Sequence, residues 1–224
     1  MKEREPAFAH IPRLRIFRSM SEYLHEMDRH IDEFIEKQQD LLAPLNNNQA
    51  VSQEIFDLAQ NEYDLIARTY HRQFFYSFIM LVVATTECGL REIAQRFGAK
   101  RNSTTPLPGP KWDQLKAYVT KLGLLEPNAG QWQPVENLVK VRNCITHCGG
   151  NADRSRKPEF LKNFMRQDDE LVVDAEQHLL YPKYDFCHRS LSWADNLLWT
   201  IQNSGEILYF EEDPHPINPL RQYP

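Results

Sequence analysis

From Val51 to Phe97 the chain keeps a helical hydrophobic rhythm for 47 residues, and Gly98 stands where a helix terminator belongs. At 1.5 Å per residue such a helix would reach about 70 Å, too long for one straight rod inside a compact domain. A break or kink near His71 or Arg72 is therefore expected. The second half, Phe74 to Ile93, is apolar on nearly every side. A helix of that kind needs cover all round, from the rest of its own fold or from a partner chain, which makes it a candidate dimer helix. Its longest apolar run, FFYSFIMLVVA at 74–84, is 11 residues long. That falls short of the roughly 20 needed to cross a bilayer, so no membrane partner is expected.

Other helices arrange themselves around this one. Met20, Tyr23, Leu24, Met27, Ile31, Phe34 and Ile35 repeat at helical spacing, with Ser19 and Glu22 as a capping box at the start and Pro44 with the asparagines at 46–48 as the stop. After the loop KRNSTTPLPGP at 100–110, Trp112, Leu115, Tyr118 and Leu122 predict a third helix closed by Gly123. A fourth runs from about Trp132 to Cys148 and is followed by the loop GGNADRSRKP. Two short apolar runs within residues 171–181, either side of Asp174 and Ala175, predict a small hairpin. The last helix begins at Pro182, buries Tyr184, Cys187, Leu191, Ala194, Leu198 and Ile201, and stops at Ser204 and Gly205. The expected fold class is all-α, with a small β-hairpin before the last helix. The expected division is an N-terminal helical extension over 1–48, a helical domain over 49–204 and a tail over 205–224, where four prolines lie between Pro214 and Pro224.

The net charge of −5 is unevenly distributed. Residues 1–99 carry 11 basic and 15 acidic side chains, residues 100–166 carry 12 and 5, and residues 167–224 carry 3 and 11. A basic third in an acidic chain is the footprint expected of a polyanion partner; the competing reading is of scattered, solvated charges. The N-terminus lacks the hydrophobic segment of a secretory signal, and four cysteines in a chain of this length read more simply as reduced thiols than as a disulfide framework. A cytoplasmic protein is expected.

The basic third contains LVKVRNCITHCGG at 138–150. On a wheel advancing about 100° per residue, Val135, Leu138, Val141, Ile145 and Cys148 form the core stripe, and Glu136, Lys140, Asn143 and His147 lie opposite. Asn143 and His147 are one turn apart, and Arg142 falls at the edge of the core stripe, where its stem can be covered. Zinc would more usually recruit paired C-x2-C or H-x3-H spacings than this cluster of Cys144, His147 and Cys148, so no metal is expected.

VRNCITHCGG, closing the fourth helix, resembles the R-x4-6-H signature of the HEPN superfamily, in which asparagine commonly follows the arginine. A long apolar helix with a carboxylate, LVVATTECGLREIA, precedes it, and a hairpin and closing helix follow, so the similarity covers about residues 55–203. The resemblance implies an antiparallel helical bundle acting as a homodimer. The implied activity is endoribonucleolytic and metal-independent, without cofactors, on single-stranded RNA, in prokaryotic defence or toxin–antitoxin systems with an antitoxin or defence partner. It assigns catalysis to Arg142, His147 and Asn143, with Glu87 and Lys140 in support. Arg154, Arg156 and Lys157, in the following loop, are the candidate RNA-binding residues. For Glu87, a surface carboxylate paired with Arg91 one turn on is an equally good reading. Two alternatives stand beside the enzyme: a non-catalytic HEPN-fold RNA-binding or protein-interaction scaffold, and a nucleotide-binding regulatory domain.

Overall fold

A computed structural model describes residues 12–46, 52–100, 109, 111–174 and 178–212. In chain order these form α1 (Pro12–Asn46), α2 (Gln53–Lys100), α3 (Trp112–Lys121), α4 (Trp132–Cys148), a 3-10 turn (Ala152–Arg154), α5 (Pro158–Arg166), β1 (Leu171–Val173), β2 (Leu180–Pro182) and α6 (Tyr184–Glu212). The fold is all-α, with one antiparallel hairpin before the last helix, in the register Leu171↔Pro182, Val172↔Tyr181 and Val173↔Leu180. Much of the expected tail, from 213 onward, lies outside the described residues, as do most of the loop at 100–110 and Ala175 in the hairpin turn.

The chain divides into two compact units, Met1–Val82 with Asn137–Ser192, and Val83–Glu136 with Trp193–Pro224. In the first unit α1 lies against the opening half of α2 as a helical hairpin. Tyr63 donates its hydroxyl to the Ile35 carbonyl, His71 Nε2 lies 3.3 Å from Asp32, and the Phe34 and Tyr70 rings meet edge-on at 5.7 Å. The core is built from Phe17, Met20 and Leu24 of α1, Phe75, Phe78, Ile79 and Val82 of α2, and Leu161, Leu171, Leu180 and Phe186 beyond α4. Arg72 and Asp174 form a buried ion pair at 4.0 Å, and Arg189 reaches buried Asp168 at 2.5 Å.

In the second unit Trp112 and Trp132 pack edge to face at 6.1 Å, and the Trp132 ring nitrogen donates to the Glu126 carbonyl at 2.9 Å. Lys116 closes this cluster, 2.6 Å from Glu136 and above the Trp132 ring.

Several helix boundaries differ from the sequence reading. α2 runs unbroken past His71 and Arg72, where no proline or glycine interrupts it; His71 lies against Asp32 and stacks on Phe75, and Arg72 pairs with Asp174. α1 opens seven residues before Ser19, so Glu22 caps nothing there and pairs with Arg18 at 3.1 Å. Pro44 sits in the last turn of α1. Gly98 and Gly205 are close-approach positions inside helices: a Cβ on Gly98 would meet the Tyr118 hydroxyl at 2.8 Å, and one on Gly205 would meet Phe97 at 2.5 Å. Pro182 belongs to β2, so α6 begins at Tyr184. Part of the loop after α4 is helical, with Pro158 at the first turn of α5 and Phe160, Leu161 and Phe164 turned inward to half-buried or buried positions. One 18-residue window of α2 has a mean hydropathy of 1.3, and half of it is buried within the fold.

Candidate functional site

The geometry of a helix ending places the motif. Gly149 and Gly150 both adopt positive φ, +60° and +85°, and the Gly150 amide donates to the Cys144 carbonyl at 3.2 Å, the long bond of a Schellman ending. The chain then joins the hairpin. Leu180 donates its amide to the Gly150 carbonyl at 2.9 Å and accepts the Tyr76 hydroxyl on its own carbonyl at 2.6 Å. The Cys148 thiol donates to the Arg154 carbonyl at 3.1 Å, and the Asn151 side chain accepts the Arg154 amide at 3.1 Å. The last turn of α4 is thus fastened to both α2 and β2, and the loop carrying Arg154, Arg156 and Lys157 is fastened to the last turn.

The inward stripe of α4 is Trp132, Val135, Leu138, Val141, Cys144 and Ile145. Cys144 is buried and Cys148 only half-buried, because the helix ends at Cys148 and its thiol turns to the loop carbonyl. Asn143, Thr146 and His147 are exposed, and Arg142 is half-buried at the edge of the stripe. The Thr146 hydroxyl donates to the Arg142 carbonyl at 2.9 Å and lies 3.9 Å from the sulfur of Met80. Met80 and Leu81 are both exposed, so this part of α2 leaves an apolar surface beside the polar face of α4.

The other sequence candidates occupy different surroundings. Lys140 is half-buried, its ammonium 3.8 Å above the centre of the Phe160 ring and 3.4 Å from the Asn137 side-chain oxygen. That cation–π contact places Lys140 against α5. Glu87 is half-buried on α2 and belongs to the second unit. Arg154, Arg156 and Lys157 are exposed, and Lys162 pairs with Asp153 at 2.9 Å, which holds the Asp153 carboxyl below its usual range. Thr146 and Met80 were not singled out from the sequence. Thr146 shares the face of Asn143 and His147 on any helical wheel, whereas Met80 is joined to it only through the tertiary fold.

An exposed imidazole beside an exposed amide, with a guanidinium at the edge of the same helix, can exchange protons with a bound substrate and hold an anion. The thiols suit neither role. Burial pushes Cys144 up to about 12 and Cys187 well above the ordinary thiol range, so both stay protonated at neutral pH. Brief alkylation of the native protein at pH 8 with iodoacetamide should therefore label exposed Cys88 first and leave Cys144 and Cys187 unmodified until the chain is denatured. Peptide mass spectrometry reads the order directly, and early labelling of Cys144 would contradict its placement in the core. Among the described residues no group of three or more His, Cys, Asp or Glu side chains is placed to hold a metal ion. A cavity of about 240 Å³ lies in the second unit, lined by Gly130, Gln131, Pro134, Trp193 and Asn196, and includes none of the motif residues.

No family model, no curated protein and no solved structure matches the chain.

Proposed function

We propose that this protein is a metal-independent endoribonuclease that cuts single-stranded RNA at a homodimer cleft. The observation that carries the reading is the outward placement of Asn143 and His147, one turn apart on α4, with Arg142 half-buried beside them and a cationic loop tied to the same helix end. The resemblance of VRNCITHCGG to the HEPN signature supports the same assignment.

In the proposed reaction the RNA 2′-oxygen loses its proton, bonds to phosphorus and displaces the 5′-oxygen, which takes a proton as it leaves. The products are a 2′,3′-cyclic phosphate and a 5′-hydroxyl. His147 moves the protons, because an accessible imidazole can serve as either acid or base. Arg142 stays charged throughout and holds the phosphate oxygens as negative charge grows on them. Asn143 orients the imidazole or the phosphate, and Arg154, Arg156 and Lys157 take the flanking phosphates. One imidazole cannot easily act on both sides of one phosphorus, so a second copy supplies the other. The exposed Met80 beside Thr146, with the exposed Leu81 following it in α2, provides an apolar surface for that twofold contact. The setting is a defence or toxin–antitoxin system, in which a partner protein restrains the activity.

Incubating the purified protein with single-stranded RNA in excess EDTA tests the reading. Fragments ending in a cyclic phosphate are expected, and Arg142→Ala should abolish them. RNA bound but left intact by the wild-type chain is the result that a non-catalytic scaffold would give.

A further inference from the structure

A second surface lies away from the motif, on the hairpin of α1 and α2. Among the described residues, ten of the twelve large apolar side chains that face solvent belong to these two helices. Six of them, Phe34, Ile55, Leu58, Leu65, Ile66 and Tyr70, lie toward the end of the hairpin remote from Met80. Positions 55, 58, 62, 65, 66 and 69 recur at spacings of three and four and so share one face of α2. The edge-on contact of Phe34 with Tyr70 continues this face onto α1. Leu58 is 64% exposed, Ile55 58% and Tyr70 56%.

Six side chains near half exposure leave on the order of 600 Å² of apolar surface, at the top of the range for patches on a soluble monomer. That approaches the roughly 800 Å² that one partner contributes to a stable interface. The stripe from Ile55 to Tyr70 is about 23 Å long at the rise of an α-helix, the length of a short partner helix.

Charge selects among the occupants. Over residues 32–46 and 53–70, which carry the patch, the chain has eight carboxylates against two basic residues, Lys37 and Arg68, and Glu62 stands within the apolar stripe. RNA and anionic lipid are repelled by such a surface. A second copy is disfavoured too, because a twofold axis through the patch would set this acidic end against itself. We infer that the acidic, apolar end of the α1–α2 hairpin is a docking surface for a cationic amphipathic helix of a partner protein. The apolar stripe takes the partner's leucine-like anchors, and the flanking carboxylates take its lysines or arginines. This inference does not depend on the ribonuclease reading.

The test uses the full chain and a fluorescein-labelled leucine–lysine peptide of about 18 residues, designed as an amphipathic helix. A scrambled peptide of the same composition and a leucine–glutamate counterpart serve as controls. Anisotropy is expected to show micromolar binding of the amphipathic cationic peptide alone. Affinity should fall by about tenfold or more in Leu58→Asp/Ile66→Asp and also in Glu54→Lys/Glu62→Lys. All four positions are exposed, so both variants should keep wild-type circular dichroism. Absence of binding, equal binding of the scrambled peptide, or unchanged affinity in either variant overturns the proposal. So does sedimentation showing that Leu58→Asp/Ile66→Asp dissociates an assembled wild-type chain, since the surface would then belong to a second copy. RNA cleavage at the wild-type rate in both variants would separate this surface from the motif.

Discussion

Replacing His147 by alanine should reduce RNA cleavage by about 10²–10⁴-fold, the usual contribution of a positioned acid or base, while leaving the fold intact. His147 is exposed on the last turn of α4, and the hydrogen bonds that fasten that turn run through Gly150, Cys148 and Asn151. Truncating a surface side chain of this kind ordinarily changes stability by less than about 0.5 kcal/mol, so the melting temperature should stay within about 2 °C of wild type. Single-turnover cleavage and a thermal melt on the same preparation separate chemistry from folding. Wild-type cleavage by His147→Ala would remove the imidazole from the mechanism. Asn143→Ala, on the same exposed face, should cost less, because an orienting amide transfers no proton.

The geometry of α4 was readable because its signal is local. Apolar residues at helical spacing between Trp132 and Cys148 define which side turns inward, and the two glycines define where the helix ends. The half-buried position of Arg142 and the outward one of Asn143 and His147 follow from the same spacing. Several of the misread features depend on what lies across from a residue. Gly98 and Gly205 carry the letter of a terminator, yet each is glycine because an aromatic side chain from elsewhere approaches its backbone. Lys140 reads as a solvent-facing cation until α5 brings Phe160 beneath it. The expected break in α2 is absent: no proline or glycine stands near His71 and Arg72, whose partners Asp32 and Asp174 come from distant parts of the sequence. For Cys148 the difference is one of ending: a core position in mid-helix becomes a loop contact when the helix stops there.

The same distinction between local and tertiary causes predicts a large stability effect from a single methyl group. Gly149 and Gly150 are adjacent, both have positive φ, and both end α4, yet their surroundings differ. Nothing lies within 4 Å of a Cβ built on Gly149, so Gly149→Ala should cost only the backbone penalty of about 1–2 kcal/mol for a left-handed L-residue. A Cβ on Gly150 would collide with the Tyr76 hydroxyl oxygen and lie 2.6 Å from its ring carbon Cζ. Tyr76 cannot withdraw without cost, because its buried hydroxyl donates to Leu180, whose amide in turn binds Gly150. Stranding that bond costs about 1–3 kcal/mol, and overpacking adds a similar amount, so Gly150→Ala should lose about 3–5 kcal/mol in all. At roughly 2–4 °C per kcal/mol for a chain of this size, the melting temperature should drop by about 6–20 °C. Tyr76→Phe should recover little in the Gly150→Ala background, since the ring carbons also crowd the new methyl. Urea unfolding of the two alanine variants side by side decides the matter: equal losses would mean that backbone conformation alone governs the end of α4. A large excess for Gly150→Ala, with cleavage lost there and kept in Gly149→Ala, would show that packing against Tyr76 holds Arg142 and His147 in working position.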